Sequence, residues 1–229
     1  MSSIDIVIVT WPNHPKRWEY FLWCVGKAFR EITARRHTLR WLCSSESERD
    51  PLHNWYGEHL AEWCASRGVP LTFRHGPASL GAAMNAAFRL ADADYVMLLQ
   101  DDFLLTEPLD LSDGVDWMNS HPEADTFRYS WPGMDRVTVI DQVDGYRRLD
   151  PNGSWPYGDD PHLRRRSFHQ RFGWHVEGPP HGAGESCMLV EFGRRNAQVF
   201  LADRIYFGHA GAVPAVINDL RERLPEGRR

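Results

Sequence analysis

Tyr95-Val96-Met97-Leu98-Leu99-Gln100-Asp101-Asp102 is the stretch from which the rest of the chain can be read. Its first five residues are apolar without alternation, the pattern of a strand buried on both faces. Such strands belong to the middle of a parallel sheet covered by helices. Two carboxylates follow the buried run directly. Adjacent side chains on an extended strand point to opposite faces, but at a strand end the chain turns and both can face a crevice. Carboxylates beside a buried strand are costly unless their charge is offset. A hard divalent cation with oxygen ligands would offset it. A simple turn is the competing reading, and the pair alone does not separate the two.

Upstream, the same alternation repeats. Residues 80–90 predict a helix with Met84, Ala87, Phe88 and Ala91 on one face, and residues 71–74 a strand. Residues 55–67 predict a helix closed by Gly68. Residues 38–43 form a strand with a polar exit from Ser44 onward. Trp18, Phe21, Leu22, Val25, Phe29 and Ile32 recur at helical spacing, and residues 4–10 are an apolar strand. This alternation predicts an α/β fold with a mostly parallel sheet and helices on both faces. Ligands of such sheets lie beyond the carboxyl ends of the strands. These ends are Thr10-Trp11, Ser44 to Glu46, His75-Gly76 and Gln100 to Asp102.

Downstream the pattern loosens. Residues 112–119 predict a helix and 124–129 a strand, while residues 132–184 are rich in Pro, Gly, Asp and Trp. Residues 164–172 are the one helix expected there, with Arg164 and Arg166 on a solvated face. Apolar character returns at 187–192 and 205–207, and 225–229 read as a frayed end.

The 229 residues are 42% hydrophobic and 25% charged, as a packed globular chain requires, and the formal charge of −5 argues against a generally nucleic-acid-binding surface. No basic, apolar leader opens the chain and no apolar run is long enough to span a bilayer, so a cytoplasmic location is expected. Cys24, Cys43, Cys64 and Cys187 lack metal-ligand spacing and read as reduced thiols. Neither a P-loop nor a GxGxxG turn follows a strand.

Leu80-Gly81-Ala82-Ala83-Met84-Asn85, followed by the strand ending in Gln100-Asp101-Asp102, resembles the core of glycosyltransferase family 2. In that family a Gly and an Ala-x-Asn helix lead into a strand ending in an acidic metal motif. The resemblance covers about residues 4–211 and implies a GT-A (Rossmann-like) fold with an irregular acceptor-side second half. It departs from the family at Gln100, where an amide replaces the first acid. It implies that Asp102 binds the metal directly, and that Asp101 holds the ribose or reaches the metal through water. It further implies donor contacts from Thr10, Trp11, Ser45, Glu46, Gly81, Asn85 and Gln100. Polar strand exits are common, Gly81 could be only a helix start, and Asn85 could lie on a solvated face.

A sugar transfer with inversion needs a base for the acceptor hydroxyl. After the loop at 178–184, Glu185-Ser186-Cys187-Met188 resembles the family's acidic motif, which implies Glu185 as the base. Its alternative is an ordinary acid favoured at a helix N-terminus. Asp159, Asp160 and Glu177 are further candidates. His209, in Phe207-Gly208-His209-Ala210-Gly211, resembles the histidine that completes the metal shell in many GT-A enzymes. His162 resembles a residue of the acceptor side, and Trp155 and Trp174 are the tryptophans placed to stack on an acceptor.

The expectation is one GT-A domain over 1–229. Its nucleotide-sugar half is 1–102, its acceptor and catalytic half 103–211, and its C-terminal helix and tail 212–229. It would move a sugar from a UDP-, GDP- or dTDP-sugar to a hydroxyl acceptor with Mn²⁺ or Mg²⁺. A GT-A protein that binds the donor without catalysis and a metal-dependent hydrolase are the alternatives; the second lacks an HExxH or comparable spacing.

Overall fold

The computed structural model describes residues 1–12, 16–47, 51–75, 80–132, 134–177 and 183–210. The first half contains β1 (Ser3–Thr10), α1 (Arg17–Glu31), β2 (Ile32–Thr33), β3 (Thr38–Ser47), α2 (Pro51–Ala65), β4 (Leu71–His75), α3 (Leu80–Leu90) and β5 (Tyr95–Gln100). The second contains β6 (Phe103–Leu105), β7 (Leu109–Asp110), α4 (Leu111–Ser120), β8 (Thr126–Ser130), β9 (Val139–Val143), β10 (Tyr146–Leu149), β11 (His162–Arg165), α5 (Phe168–Phe172), α6 (Ala183–Arg194), β12 (Val199–Ile205) and β13 (Phe207–His209). Gly68 takes φ +64° behind α2, as a residue closing a helix in the left-handed region does.

Nine strands form one sheet in the order β4-β3-β1-β5-β11-β8-β12-β10-β9. The first four are parallel, with Ile4 to Val9 set against Tyr95 to Gln100. Side chains of β1 and β5 alternate between two cores. Val7, Val9, Val96 and Leu98 pack against Ala83, Met84, Ala87 and Phe88 of α3. Ile4, Ile6, Met97 and Leu99 pack on the other face with Leu111, Val115 and Met118 of α4. Burial on both sides explains the unbroken apolar runs.

The second half departs from expectation. Residues 164–172 are not one helix: His162 to Arg165 form β11, antiparallel to both β5 and β8, and the helix is only Phe168–Phe172. Arg164 is therefore 1% exposed and not on a solvated face; its guanidinium lies over Phe88 and Phe168. Arg166 is exposed as expected. The β9–β10 hairpin turns at Asp144-Gly145, both with positive φ (49° and 84°). An Asp-Gly pair between two short runs is a hairpin signal that the sequence carries.

The antiparallel insertion of β11 positions the site. His162, at its start, pairs with Leu98 near the end of β5. The residues before it, Asp159 and Asp160, therefore arrive at the carboxyl end of the sheet. Strand β8 is antiparallel to β11 and so runs with β5, and Trp131 therefore also follows a strand ending at that edge. Beyond β12, β13 pairs antiparallel with β6, setting His209 opposite Phe103.

Candidate functional site

Asp101 and Asp102 directly follow β5, and their surroundings are built by four elements. The Thr10 hydroxyl, at the end of β1, donates to Asp101 Oδ2 and shares a hydrogen bond with the Tyr56 hydroxyl of α2. Arg17, in the first turn of α1, places Nη2 2.8 Å from Asp101 Oδ1 and Nη1 3.0 Å from Asp102 Oδ2. His209 of β13 places Nε2 3.4 Å from Asp102 Oδ2, its ring stacked on Phe103 at 4.7 Å. The Ala210 N–H donates to the Asp102 carbonyl at 2.8 Å, tying this turn to the far end of the chain.

The two carboxyls differ. Burial pushes Asp101 up to about 7, against the field of Arg17. Burial penalises Asp102 as well, but the bonds to His209 and Arg17 outweigh it and hold the carboxyl below the usual aspartate range. Asp102 is thus the ionised member at neutral pH. Its Oδ1 is buried without a hydrogen-bond partner among the described residues.

These residues fit a divalent metal. An orphaned carboxylate oxygen with a neighbouring imidazole is a donor set that Mn²⁺ accepts. Among the described residues no three His, Cys, Asp or Glu side chains converge to hold an ion. The protein would therefore supply only part of a coordination shell, as is usual for ions that also bind substrate phosphates.

Beside this pair opens a cavity of about 370 Å³, lined among others by Gln100, Phe103, Arg128, Trp131, Trp155, Asp159, Glu185 and His209. Glu185 sits in the first turn of α6. Burial, and then the charge of Asp160, raise its carboxyl; Arg128 and the Asp159 backbone N–H act the other way. Asp159 is raised further by burial and by Glu185, and its Oδ1 has no hydrogen-bond partner among the described residues. Asp160 is fully engaged: Arg128 grips it through Nε at 3.2 Å and Nη2 at 2.7 Å, and Trp131 Nε1 donates at 3.0 Å.

Of the residues singled out in the sequence, the fold brings Gln100, Trp155, Asp159, Asp160, Glu185 and His209 to one cavity, with Asp102 touching His209. Thr10, Ser45, Asn85 and Asp101 are buried, whereas Trp11 and Gln100 are partly exposed. Asn85 is not on a solvated face: its amide donates to the His175 carbonyl and Glu177 and accepts the His175 N–H. A Cβ on Gly81, one turn earlier, would stand 2.2 Å from the Val176 carbonyl oxygen. Gly81 and Asn85 thus dock residues 175–177, the approach to α6 and Glu185. This is a structural use of both residues.

His162 is fully buried, with Nδ1 bonded to the Asp160 carbonyl, so the acceptor reading is not retained for it. Trp174 stacks on His169 at 4.0 Å and carries Arg89 on its ring, away from the cavity lining. The Glu46 side chain, the loop at 178–182 and residues 211–229 lie outside what is described. Sequence reading missed Arg17, Arg128 and Trp131. A signal existed for Arg17, because the first turn of a helix after a parallel strand faces the ligand crevice. None existed for Arg128, which a strand pattern treats as any other residue.

No family model matches the chain, and no curated protein matches its sequence. Solved structures do match its fold. Staphylococcus aureus TarS 1–349 in complex with UDP-GlcNAc aligns at TM-score 0.62 and 11% identity, over 92% of this chain and 61% of that one. The mannosyltransferase PcManGT from Pyrobaculum calidifontis, in complex with GDP-Man and Mn²⁺, aligns at TM-score 0.61 and 16% identity, over 91% and 57%. CMP:2-keto-3-deoxy-manno-octonic acid synthetase complexed with CTP aligns at TM-score 0.57 and 14% identity, over 96% and 98%. The chain spans about three fifths of the TarS 1–349 and PcManGT chains. The fold is of the GT-A type. Among the described residues no helix is long and apolar enough to cross a membrane.

Proposed function

We propose that this protein is a metal-dependent glycosyltransferase that moves a sugar from a nucleotide-sugar to a hydroxyl acceptor with inversion. One observation carries the reading: a paired-carboxylate site at the end of the central strand touches, through Asp102 and His209, a cavity that is also lined by Glu185, a carboxylate raised by burial. The GT-A fold adds support, because structures that share it hold UDP-GlcNAc or GDP-Man with Mn²⁺.

Asp102 and His209 hold Mn²⁺ or Mg²⁺, which when bound supplies positive charge to the departing diphosphate. Gln100 and Trp11 meet the donor, with Thr10, Ser45 and Asp101 fixing that wall from behind. Glu185 accepts the proton of the acceptor hydroxyl as it attacks the anomeric carbon. Its raised carboxyl suits that task, since a base works best near the operating pH. Trp155, 54% exposed at the cavity rim, offers a ring face to the acceptor. Arg128 fixes Asp160 and so keeps one acid of the cluster out of the chemistry.

The test is thermal shift with UDP-, GDP-, CDP- and dTDP-sugars, each with Mn²⁺, Mg²⁺ or EDTA, on wild type and Asp102→Ala. Stabilisation by one sugar nucleotide that requires metal and is lost in Asp102→Ala is expected. Absence of stabilisation across the panel sinks the reading. Product NMR, reading the anomeric coupling, then decides inversion.

A further inference from the structure

We propose that Arg17 is a resident counter-cation that competes with the divalent metal for Asp101 and Asp102, so that the metal enters together with a diphosphate and not ahead of it. The inference rests on the nucleotide-sugar reading and deepens it.

Arg17 spans both carboxylates, with Nη2 2.8 Å from Asp101 and Nη1 3.0 Å from Asp102. Its side chain is 18% exposed, that of Asp101 is fully buried and that of Asp102 is 10% exposed, so little water screens the contact. Arg17 Nε is buried without a hydrogen-bond partner among the described residues. The guanidinium is therefore held at its tip and not behind it. Arg128 differs: it is also bonded to the Trp155 carbonyl and to Met134 Sδ, and is locked in place.

The oxygen that Arg17 engages on Asp102 is also the one that faces His209. An ion shared by Asp102 and His209 must either take that oxygen from Arg17 or bind next to a positive charge. Both cost affinity for the ion alone. A diphosphate removes the conflict, because its oxygens can receive the guanidinium and complete the metal shell together.

The test uses Mn²⁺ alone, without nucleotide, titrated into the whole chain and followed by the loss of the free-ion EPR signal. Arg17→Gln is expected to tighten Mn²⁺ by about tenfold or more over wild type, because one opposing charge is removed. Adding Asp102→Asn to Arg17→Gln should abolish the gain. Equal affinities within about twofold, or weaker binding in Arg17→Gln, overturn the proposal. If Arg17→Gln does not fold by circular dichroism, Arg17→Lys takes its place; it keeps the charge but cannot fork across two carboxylates. It should tighten Mn²⁺ by about threefold, and unchanged binding again overturns the role of Arg17. Failure of the sugar-nucleotide panel leaves this ion measurement standing, and failure here leaves that panel standing, so the two readings can fall separately.

Discussion

The two acidic clusters at the carboxyl edge of the sheet are built alike and behave differently. Each holds carboxylates beside one arginine. At Asp101–Asp102 the arginine is spread over both acids, and the ionised member keeps an oxygen without a partner among the described residues. At Asp159–Asp160–Glu185, Arg128 bonds Asp160 and, of these three acids, no other. Asp159 and Glu185 are left in a half-buried wall where burial raises both carboxyls above their ordinary range. The first arrangement keeps an ionised carboxylate under a cation that spans both acids, and the second leaves two acids raised by burial without an arginine of their own. The same residue types thus acquire different chemistry from where the arginine places its hydrogen bonds.

The sharpest way to break this contrast is Glu185→Gln. Transfer should fall by roughly 10²–10⁴-fold while sugar-nucleotide binding by thermal shift is kept. Loss of binding with activity, or retained activity, would mean the second cluster is not the proton site.

Next in size is Arg128→Ala. It leaves Asp160 buried and unpaired, and should lower stability by about 3–5 kcal/mol in urea denaturation. Adding Asp160→Asn should recover part of this. A loss below 1 kcal/mol, on the scale of an exposed pair, would remove the distinction between the two arginines.

A smaller effect is expected where the first half braces the second. Asn85→Ala strips the bonds that hold His175 and should cost about 1–3 kcal/mol. Gly81→Ala forces the Val176 carbonyl away and should cost a similar amount, about 1–3 kcal/mol. Hydrogen exchange at 175–177 should accelerate in both. Unchanged exchange would show that α3 does not brace the approach to Glu185.

The finest test is pH. A base is active when ionised, so activity is present above its pKa and is lost as pH falls through it. Burial and Asp160 raise Glu185, so the acid limb of kcat/KM should lie above the ordinary glutamate value of 4.5. Asp160→Asn removes a negative neighbour and releases Arg128, so the limb should move to lower pH. Movement upward would reverse the electrostatic assignment.

How much of this was legible varies along the chain. Strands β1 and β5 are legible because their apolar runs are buried on both faces, and β3, β4 and the intervening helices because the strand–helix alternation is itself a local pattern. Residues 164–165 of β11 fall within the expected helix of 164–172 because Arg164-Arg165-Arg166 has no strand-like alternation. The strand's state is set by the open slot between β5 and β8, and Arg164 is tolerated there by two aromatic rings. The acids of the site, Asp101, Asp102 and Glu185, could be singled out from their motifs. Thr10, Asn85 and His162 could be noticed as polar residues at suggestive places, but burial gives them internal partners.

By itself, then, the sequence determined the parallel half, the edge of the sheet where chemistry would lie, and the acids that would lie there. Those features follow from periodicity and strand ends, which are local properties of the chain. Only the tertiary structure decided which cation meets which acid: Arg17 with Asp101 and Asp102 across more than 80 residues, and Arg128 with Asp160 across 32. Charge pairing depends on distance in space, and no local pattern encodes that distance.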